Sequence, residues 1–233
     1  MIHFDTYLAE EELTEGVYDP GILKAFFTAG GPGSGKTWVT GQAGLGKLSP
    51  LGVKIINSDA QYEKLLDDAN LAMTPENIFS PRGQKIRKRA KELTQAMRSG
   101  YVDGRLGVLI DGTGKDYEKI QMTSNTLRKL GYDTYMIFIN TSLEVALRRN
   151  QMRTRKLKEE QVTKMWNAVQ QNIGKFQIHF GRKNILILDN NDENDNLIQG
   201  LFVRIKKLVE EPLINTIGKQ WIKNELLKKK KRK

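Results

Sequence analysis

The feature that most constrains this chain is a glycine-rich stretch, residues 30–39, which reads GGPGSGKTWV. Residues 30–37 fit the spacing GxxxxGK[ST] of a phosphate-binding loop. An apolar run of strand character at 25–29 precedes the loop, and the residues from Trp38 onward can open a helix. Because strand, loop and helix in this order are the context that the motif requires, the stretch predicts a nucleotide-phosphate site. A glycine-rich turn that binds nothing is the alternative.

Each residue type in the loop has an expected task. The glycines let the backbone curl so that successive N–H groups point at an anion, assisted by the positive end of the following helix. The lysine is expected to reach the β- and γ-phosphates, and the threonine hydroxyl is expected to bind Mg²⁺. The sequence therefore predicts that ATP and Mg²⁺ are bound by Gly31, Gly33, Ser34, Gly35, Lys36 and Thr37.

Apolar runs and helical stretches alternate along the chain. Five short runs read as buried strands, at 24–29, 53–57, 107–111, 134–139 and 184–188. Helical stretches are expected near 36–44, 59–69, 82–99, 115–130, 142–153 and 159–178. This alternation predicts an α/β fold, a three-layer sandwich with a five-stranded parallel sheet and right-handed crossovers.

The chain is expected to continue beyond the sheet as helices. One helix is predicted over about 194–209, a break at Pro212, and a shorter helix over 213–228. The resulting division is an N-terminal extension at 1–20, one α/β domain at 21–212, and a C-terminal helix with a basic tail at 213–233.

Composition excludes several classes of protein. No apolar run approaches the roughly 20 residues that a membrane span needs, so no membrane partner is expected. The acidic N-terminus lacks the basic start of a secretory signal, which favours a cytoplasmic location. The absence of cysteine excludes disulfides and thiolate metal sites, and two histidines are too few to suggest zinc.

The formal net charge is +11, and the last six residues, KKKKRK, account for six of those charges. The rest of the chain therefore carries about +5 by subtraction. A basic tail of this kind either binds nucleic acid electrostatically or is a solvated, disordered end.

Two acidic residues follow strands of the predicted sheet. In parallel sheets ligands bind beyond the carboxyl ends of the strands, which directs attention to Asp59 and Asp111. Asp59 could accept a proton from an attacking hydroxyl, or it could serve as the N-cap of the next helix. Asp111 is suited to holding Mg²⁺ through water or to orienting a substrate-binding side chain.

Arginines cluster after the fourth strand, where LRRNQMRTR places four of them within residues 147–155. Arginine stabilises the negative charge that spreads over a transferring phosphoryl group, and a closing lid would deliver it. Arg149 and Arg153 share one face of the expected helix, whereas Arg148 and Arg155 lie on another. The four arginines therefore cannot all reach one phosphate.

Four motifs, GGPGSGKTWV, IINSDAQYEKLL, VLIDGTG and LRRNQMRTR, occur in this order within about residues 24–190. They resemble the kinase domain of phage-type polynucleotide 5′-hydroxyl kinases and of the related zeta-toxin-like kinases. The resemblance implies a P-loop kinase sheet, phosphate and magnesium binding by Lys36 and Thr37, and Asp59 as general base. It also implies lid contacts to ATP from Arg149 and Arg153, and a phage enzyme in the host cytoplasm. Residues 60–63, Ala-Gln-Tyr-Glu, stand where those kinases commonly carry a substrate-gripping arginine.

The sequence indicates the identity of the phosphate acceptor less clearly than it indicates the nucleotide site. The densest basic stretch, residues 81–91, lies between the second and third strands and favours a nucleic acid substrate, either a 5′-hydroxyl end or a hydroxymethylated base in DNA. Tyr62, Phe79 and Tyr101 could stack a base, although packing explains each of them as well. The alternatives are a nucleotide sugar or a nucleoside monophosphate as acceptor, a P-loop NTPase, and a nucleic-acid-binding module without kinase activity.

Overall fold

The computed structural model describes residues 16–42, 45–153, 156–192 and 194–231. The predicted N-terminal extension therefore lies mostly outside the described residues, as do Arg155 and the last two residues of the basic tail.

The described strands form a single five-stranded sheet in which every neighbouring pair is parallel. They are β1 (Lys24–Ala29), β2 (Val53–Ile56), β3 (Gly107–Ile110), β4 (Asp133–Asn140) and β5 (Ile185–Asp189), in the spatial order β2-β3-β1-β4-β5. The central strand β1 is buried at all six positions because helices cover both faces of the sheet. The predicted fold class is confirmed.

The helices agree with the expected pattern, with two additions and one interruption. They are α1 (Lys36–Gln42), α2 (Ser58–Asp68), α3 (Pro75–Phe79), α4 (Pro81–Asp103), α5 (Tyr117–Lys129), α6 (Leu143–Gln151), α7 (Glu159–Gln170), α8 (Ile173–Phe180), α9 (Asp195–Glu210) and α10 (Thr216–Lys231). The additions are α3 and a 3-10 helix at Leu45–Leu51, both too short for hydrophobic periodicity to reveal.

The helical stretch expected near 159–178 forms two helices, because α7 ends at Gln170 and α8 begins at Ile173. The residue at the break is Asn172, which is 5% exposed and whose Nδ2 donates to the carbonyl oxygens of Gly114 and Lys115, at 3.0 and 3.1 Å. This long-range contact anchors the loop after β3 to the helical layer, and it is invisible in the local sequence pattern.

Two apolar clusters, one on each face of the sheet, form the core. Alternate residues of β4 point to opposite faces, so that Tyr135 and Ile137 belong to one cluster and Met136 and Phe138 to the other. Helix α9 covers the first face, and α5, α8 and α10 cover the second. A third, smaller cluster lies between α2 and α4 and contains Tyr62, Leu66, Ile78 and Ala90.

Residues 228–231 of the basic tail are helical, in contrast to the disordered end that was one of the two alternatives for the tail. Helix α10 continues through Lys231, and the Lys229 ammonium lies 4.9 Å from the centre of the Tyr18 ring. Trp221 and Ile222 pack against the core on the α5 side of the sheet. Within the described ranges, no helix is long and apolar enough to cross a bilayer.

Candidate active site

The phosphate-binding loop connects β1 to α1 and depends on backbone conformations that favour glycine. Gly33 and Gly35 have φ values of +75° and +76°, in the left-handed region. A Cβ atom on Gly33 would lie 2.4 Å from the carbonyl oxygen of Ala146, at the start of α6. At Gly31 the nearest atom to such a Cβ, the Cα of Trp166, is 3.6 Å away. The curl of the loop therefore requires Gly33 and Gly35 but tolerates a side chain at position 31.

A buried asparagine after β5 is hydrogen-bonded to the phosphate-binding loop. The Asn190 Nδ2 donates to the Ser34 carbonyl oxygen at 2.8 Å, and the Asn190 N–H donates to the Asn140 carbonyl oxygen at 2.8 Å. A Cβ atom on Gly35 would lie 2.4 Å from Asn190 Nδ2, which explains why position 35 has no side chain. Asn190 was not predicted, although the rule that polar residues follow parallel strands applies to β5 as it does to β2 and β3.

Lys36 and Asp111 meet at the carboxyl ends of β1 and β3. The Lys36 Nζ lies 2.7 and 2.9 Å from the two Asp111 oxygens, and the Thr28 hydroxyl donates to Asp111 Oδ1 at 2.5 Å. The Gly112 N–H donates in turn to the Thr28 oxygen at 3.2 Å. Asp111 is thereby held in place beside the lysine of the loop, where a carboxylate can orient that lysine or help to hold Mg²⁺.

The loop residues fit a nucleotide phosphate. The Ser34 side chain is 2% exposed, and its hydroxyl has no hydrogen-bond partner among the described residues. A buried hydroxyl without a partner is costly unless a ligand satisfies it, and a phosphate oxygen beside the curled backbone would do so.

The oxygen ligands of Thr37 and Asp111 fit Mg²⁺, which completes its coordination with substrate phosphates and water. The described residues contain no cluster of three or more His, Cys, Asp or Glu side chains that could hold a metal by itself. A magnesium site here would therefore depend on the phosphates of a bound nucleotide.

The two predicted lid arginines differ in their surroundings. Arg149 is half-buried beside the loop, and its Nη1 donates to the Asn190 carbonyl oxygen at 2.7 Å. Arg153 is exposed in the turn after α6, because the helix ends at Gln151. The expected shared helical face of Arg149 and Arg153 was therefore wrong. The Asn150 side chain causes the turn, since it bonds both the N–H and the carbonyl of Leu157.

Asp59 lies in the first turn of α2, at the carboxyl end of β2. The N-cap of this helix is Asn57, whose Oδ1 accepts from the Asp59 N–H at 2.8 Å, so the N-cap alternative for Asp59 was wrong. The Asp59 side chain is 73% exposed, and its carboxylate lies 3.7 Å from the guanidinium of Arg87 on α4. Arg87 also covers the ring of Tyr62, which is buried and so is not available to stack a base. Residues 60–63, where the kinases of the resemblance carry an arginine, contain none. Here Arg87 of α4 lies beside Asp59 instead.

A cavity of about 480 Å³ opens between the end of β3, α4 and the start of α5. Its charged and hydroxyl-bearing lining includes Ser58, Lys91, Arg98, Asp111, Lys115 and Lys119. Asp111 therefore faces both the phosphate loop and the cavity. Arg98, Lys115 and Lys119 were not predicted, because they lie on separate elements and share no sequence motif. Burial lowers the pKa of the Arg98 guanidinium below its ordinary value.

Comparisons with known proteins agree with this fold. A family model described as an AAA domain, AAA_33, matches residues 26–173. The solved complex of AvrRxo1-ORF1 and AvrRxo1-ORF2 with sulphate ions is 17% identical, with a TM-score of 0.54, covering 70% of this chain and 54% of that one. The PezAT toxin-antitoxin system of Streptococcus pneumoniae is 15% identical, with a TM-score of 0.50 and coverages of 80% and 85%. A gluconokinase from Sinorhizobium meliloti is 13% identical, with a TM-score of 0.48 and coverages of 81% and 95%.

No curated protein sequence matches this chain significantly. At identities this low, the likenesses with TM-scores of 0.54 and 0.50 show a shared fold and nothing more. The family match, the phosphate loop and the sheet order support the prediction of a phosphotransferase. Since the family model spans more than half of its length, the chain belongs to the AAA_33 family of AAA domains.

Proposed function

We propose that the protein is an ATP- and Mg²⁺-dependent kinase that transfers the γ-phosphate to a hydroxyl of a nucleic acid. The acceptor is either a 5′-hydroxyl end or a hydroxymethylated base in DNA. The observation that carries the proposal is the position of Asp111, which pairs with Lys36 of the phosphate loop and also lines the neighbouring cavity. A donor site and an acceptor site thus share one carboxylate.

The donor half consists of the loop and the residues around it. Backbone N–H groups, the Ser34 hydroxyl and the Lys36 ammonium would bind the phosphates, with Arg149 beside them. Mg²⁺, when bound through Thr37 and Asp111, would neutralise phosphate charge. Arg153 remains a proposed lid residue that would contact the nucleotide from the turn after α6.

Asp59 is the proposed general base. Its carboxylate would take the proton of the acceptor hydroxyl while that oxygen forms a bond to the γ-phosphorus, and the bond between the γ-phosphorus and the leaving oxygen of ADP breaks. The supporting observations are its place at the carboxyl end of β2 and the residue next to it, Ser58, which lines the cavity. The Arg87 guanidinium, 3.7 Å from the Asp59 carboxylate, would help to orient it.

The charge of α4 supports a nucleic acid acceptor. The exposed side of this helix carries five basic residues, Arg82, Lys85, Lys88, Arg89 and Lys91. Their charges would attract the phosphate backbone in a salt-dependent way. The helix borders the cavity through Lys91, which would connect a backbone-binding surface to the acceptor site.

A small acceptor, such as a nucleotide sugar or a nucleoside monophosphate, is the second candidate. The observation that favours it is the size of the cavity, about 480 Å³, which falls within the range of small-molecule sites.

A radiolabelled transfer screen tests both candidates. The full chain with Mg²⁺ and γ-labelled ATP is incubated separately with 5′-hydroxyl DNA, 5′-hydroxyl RNA, hydroxymethyl-base DNA, nucleoside monophosphates and UDP-N-acetylglucosamine. Label on one of the nucleic acids supports the first proposal, and label on a small acceptor alone replaces it with the second. ATP hydrolysis without any labelled acceptor indicates an NTPase. Nucleic-acid binding that is indifferent to nucleotide and to Lys36→Ala indicates a binding module.

A further inference from the structure

The cavity beside Asp111 contains an arginine that has no hydrogen-bond or ion-pair partner in the described part of the chain. Arg98 lies in the last third of α4, lines the cavity and is half-buried. Among the described residues its guanidinium makes no hydrogen bond and no ion pair. A guanidinium has five N–H donors and stays charged in proteins, so partial burial without a partner is unfavourable.

Another arginine, Arg128 on α5, shows what a protein partner does for a similarly buried guanidinium. Its Nε donates to the Thr134 hydroxyl at 2.7 Å and its Nη2 to the His179 carbonyl at 3.1 Å, with the ring of Phe180 beneath it. Burial lowers the pKa of both arginines, but only Arg128 is compensated by neighbouring protein atoms. An anion in the cavity would compensate Arg98 in the same way.

The other charges of the cavity also favour an anion. Three lysines, Lys91, Lys115 and Lys119, line it together with Arg98, against the carboxylates of Asp111 and Asp116. Asp111 is already paired with Lys36, and Asp116 accepts from the Lys119 N–H as the N-cap of α5. Both carboxylates thus already interact with other groups of the protein. The four cationic side chains outnumber these two carboxylates in the lining of the cavity.

We propose that Arg98 binds an anionic group of the acceptor, a phosphate or a carboxylate, and thereby directs a hydroxyl of the same molecule toward Lys36 and Asp111. The role of the bound anion as part of the acceptor rests on the proposed kinase function. The presence of an anion site at Arg98 does not depend on phosphoryl transfer. Arg98 is a positioning residue for substrate, separate from the donor-phosphate groups. The acceptor class is therefore a hydroxyl compound that already carries a negative group near the reacting hydroxyl.

Binding of inorganic phosphate tests the anion site directly. The full chain is saturated with Mg²⁺ and a non-hydrolysable ATP analogue so that the loop is occupied, and phosphate is titrated by calorimetry. We expect wild-type protein to bind phosphate and Arg98→Gln to bind it about tenfold more weakly, with Arg98→Lys in between.

Arg204→Gln is the matched control, since Arg204 is exposed on α9 and does not line the cavity. It is expected to bind phosphate as wild type does. Wild-type protein that binds no phosphate, or Arg98→Gln within about twofold of wild type, overturns the proposal. If an acceptor is identified, Arg98→Gln should raise its KM while the KM for ATP stays unchanged.

Discussion

The proposed donor and acceptor sides of the site are built in different ways. On the donor side, buried groups hold one another, as when Asn190 binds the Ser34 carbonyl and Thr28 binds Asp111. On the acceptor side, α2 and α4 pack through a small cluster of their own, and Asp59 is largely exposed. A donor site can be recognised from its backbone requirements, whereas the acceptor site depends on a few side chains that separate helices bring together.

The largest expected effect comes from the donor side. Replacing Lys36 with alanine should reduce phosphoryl transfer by about 10³-fold or more, because a preorganised cation at the phosphates is lost. The measurement is single-turnover transfer to whichever acceptor the screen identifies. Lys219→Ala, an exposed lysine on α10, is the matched control and should transfer normally. Normal transfer by Lys36→Ala would show that the loop is not the donor site.

The second-largest expected effect tests the acceptor side. Asp59→Asn should keep the affinity for ATP and lower transfer by about 10²-fold or more, because the amide cannot accept the hydroxyl proton. Asp67→Asn is the control, since Asp67 is exposed near the end of the same helix. Nucleotide binding is measured by fluorescence titration and transfer by label incorporation. Unchanged transfer in Asp59→Asn would remove this residue as the base.

Two glycines of one loop should behave differently. Gly33→Ala is expected to destabilise the fold by about 1–3 kcal/mol and to weaken nucleotide binding, because position 33 has a φ of +75° and faces the Ala146 carbonyl. Gly31→Ala should change stability little, since a Cβ there has no contact closer than 3.6 Å. Chemical denaturation of both variants measures the difference. Equal losses would mean that the loop adopts another conformation.

The smallest expected effect concerns the exposed ion pair. Arg87→Gln should change the salt-dependent part of the free energy of unfolding by less than about 1 kcal/mol, because a 3.7 Å contact to a carboxylate that is 73% exposed is screened by water. Denaturant melts at low and high salt measure this, with Lys88→Gln on the same helix as the control, since Lys88 is exposed and forms no ion pair with another described residue. A loss well above this value would show that ion pairing, more than the apolar cluster between α2 and α4, stabilises this side of the site.

Much of the fold could be predicted from the amino-acid sequence, because local residue patterns determine where the strands and helices form. The β1 run and the glycine spacing define the strand and the loop, and all five predicted strands were confirmed. The helical stretch expected near 159–178 is interrupted at Asn172, whose partners are more than fifty residues away in the sequence. The end of α6 before Arg153 depends likewise on the Asn150 contacts to Leu157.

The amino-acid sequence by itself determined the nucleotide loop, the parallel sheet and the acids at the strand ends, since spacing, apolar periodicity and the need for glycine at positive φ are local properties. Only the tertiary structure decided which distant groups meet. It brought Asn190 under the loop, paired Lys36 with Asp111, and set Arg87 beside Asp59. It also gathered Arg98, Lys115 and Lys119 around one cavity, because their positions follow from helix packing, which no local pattern encodes.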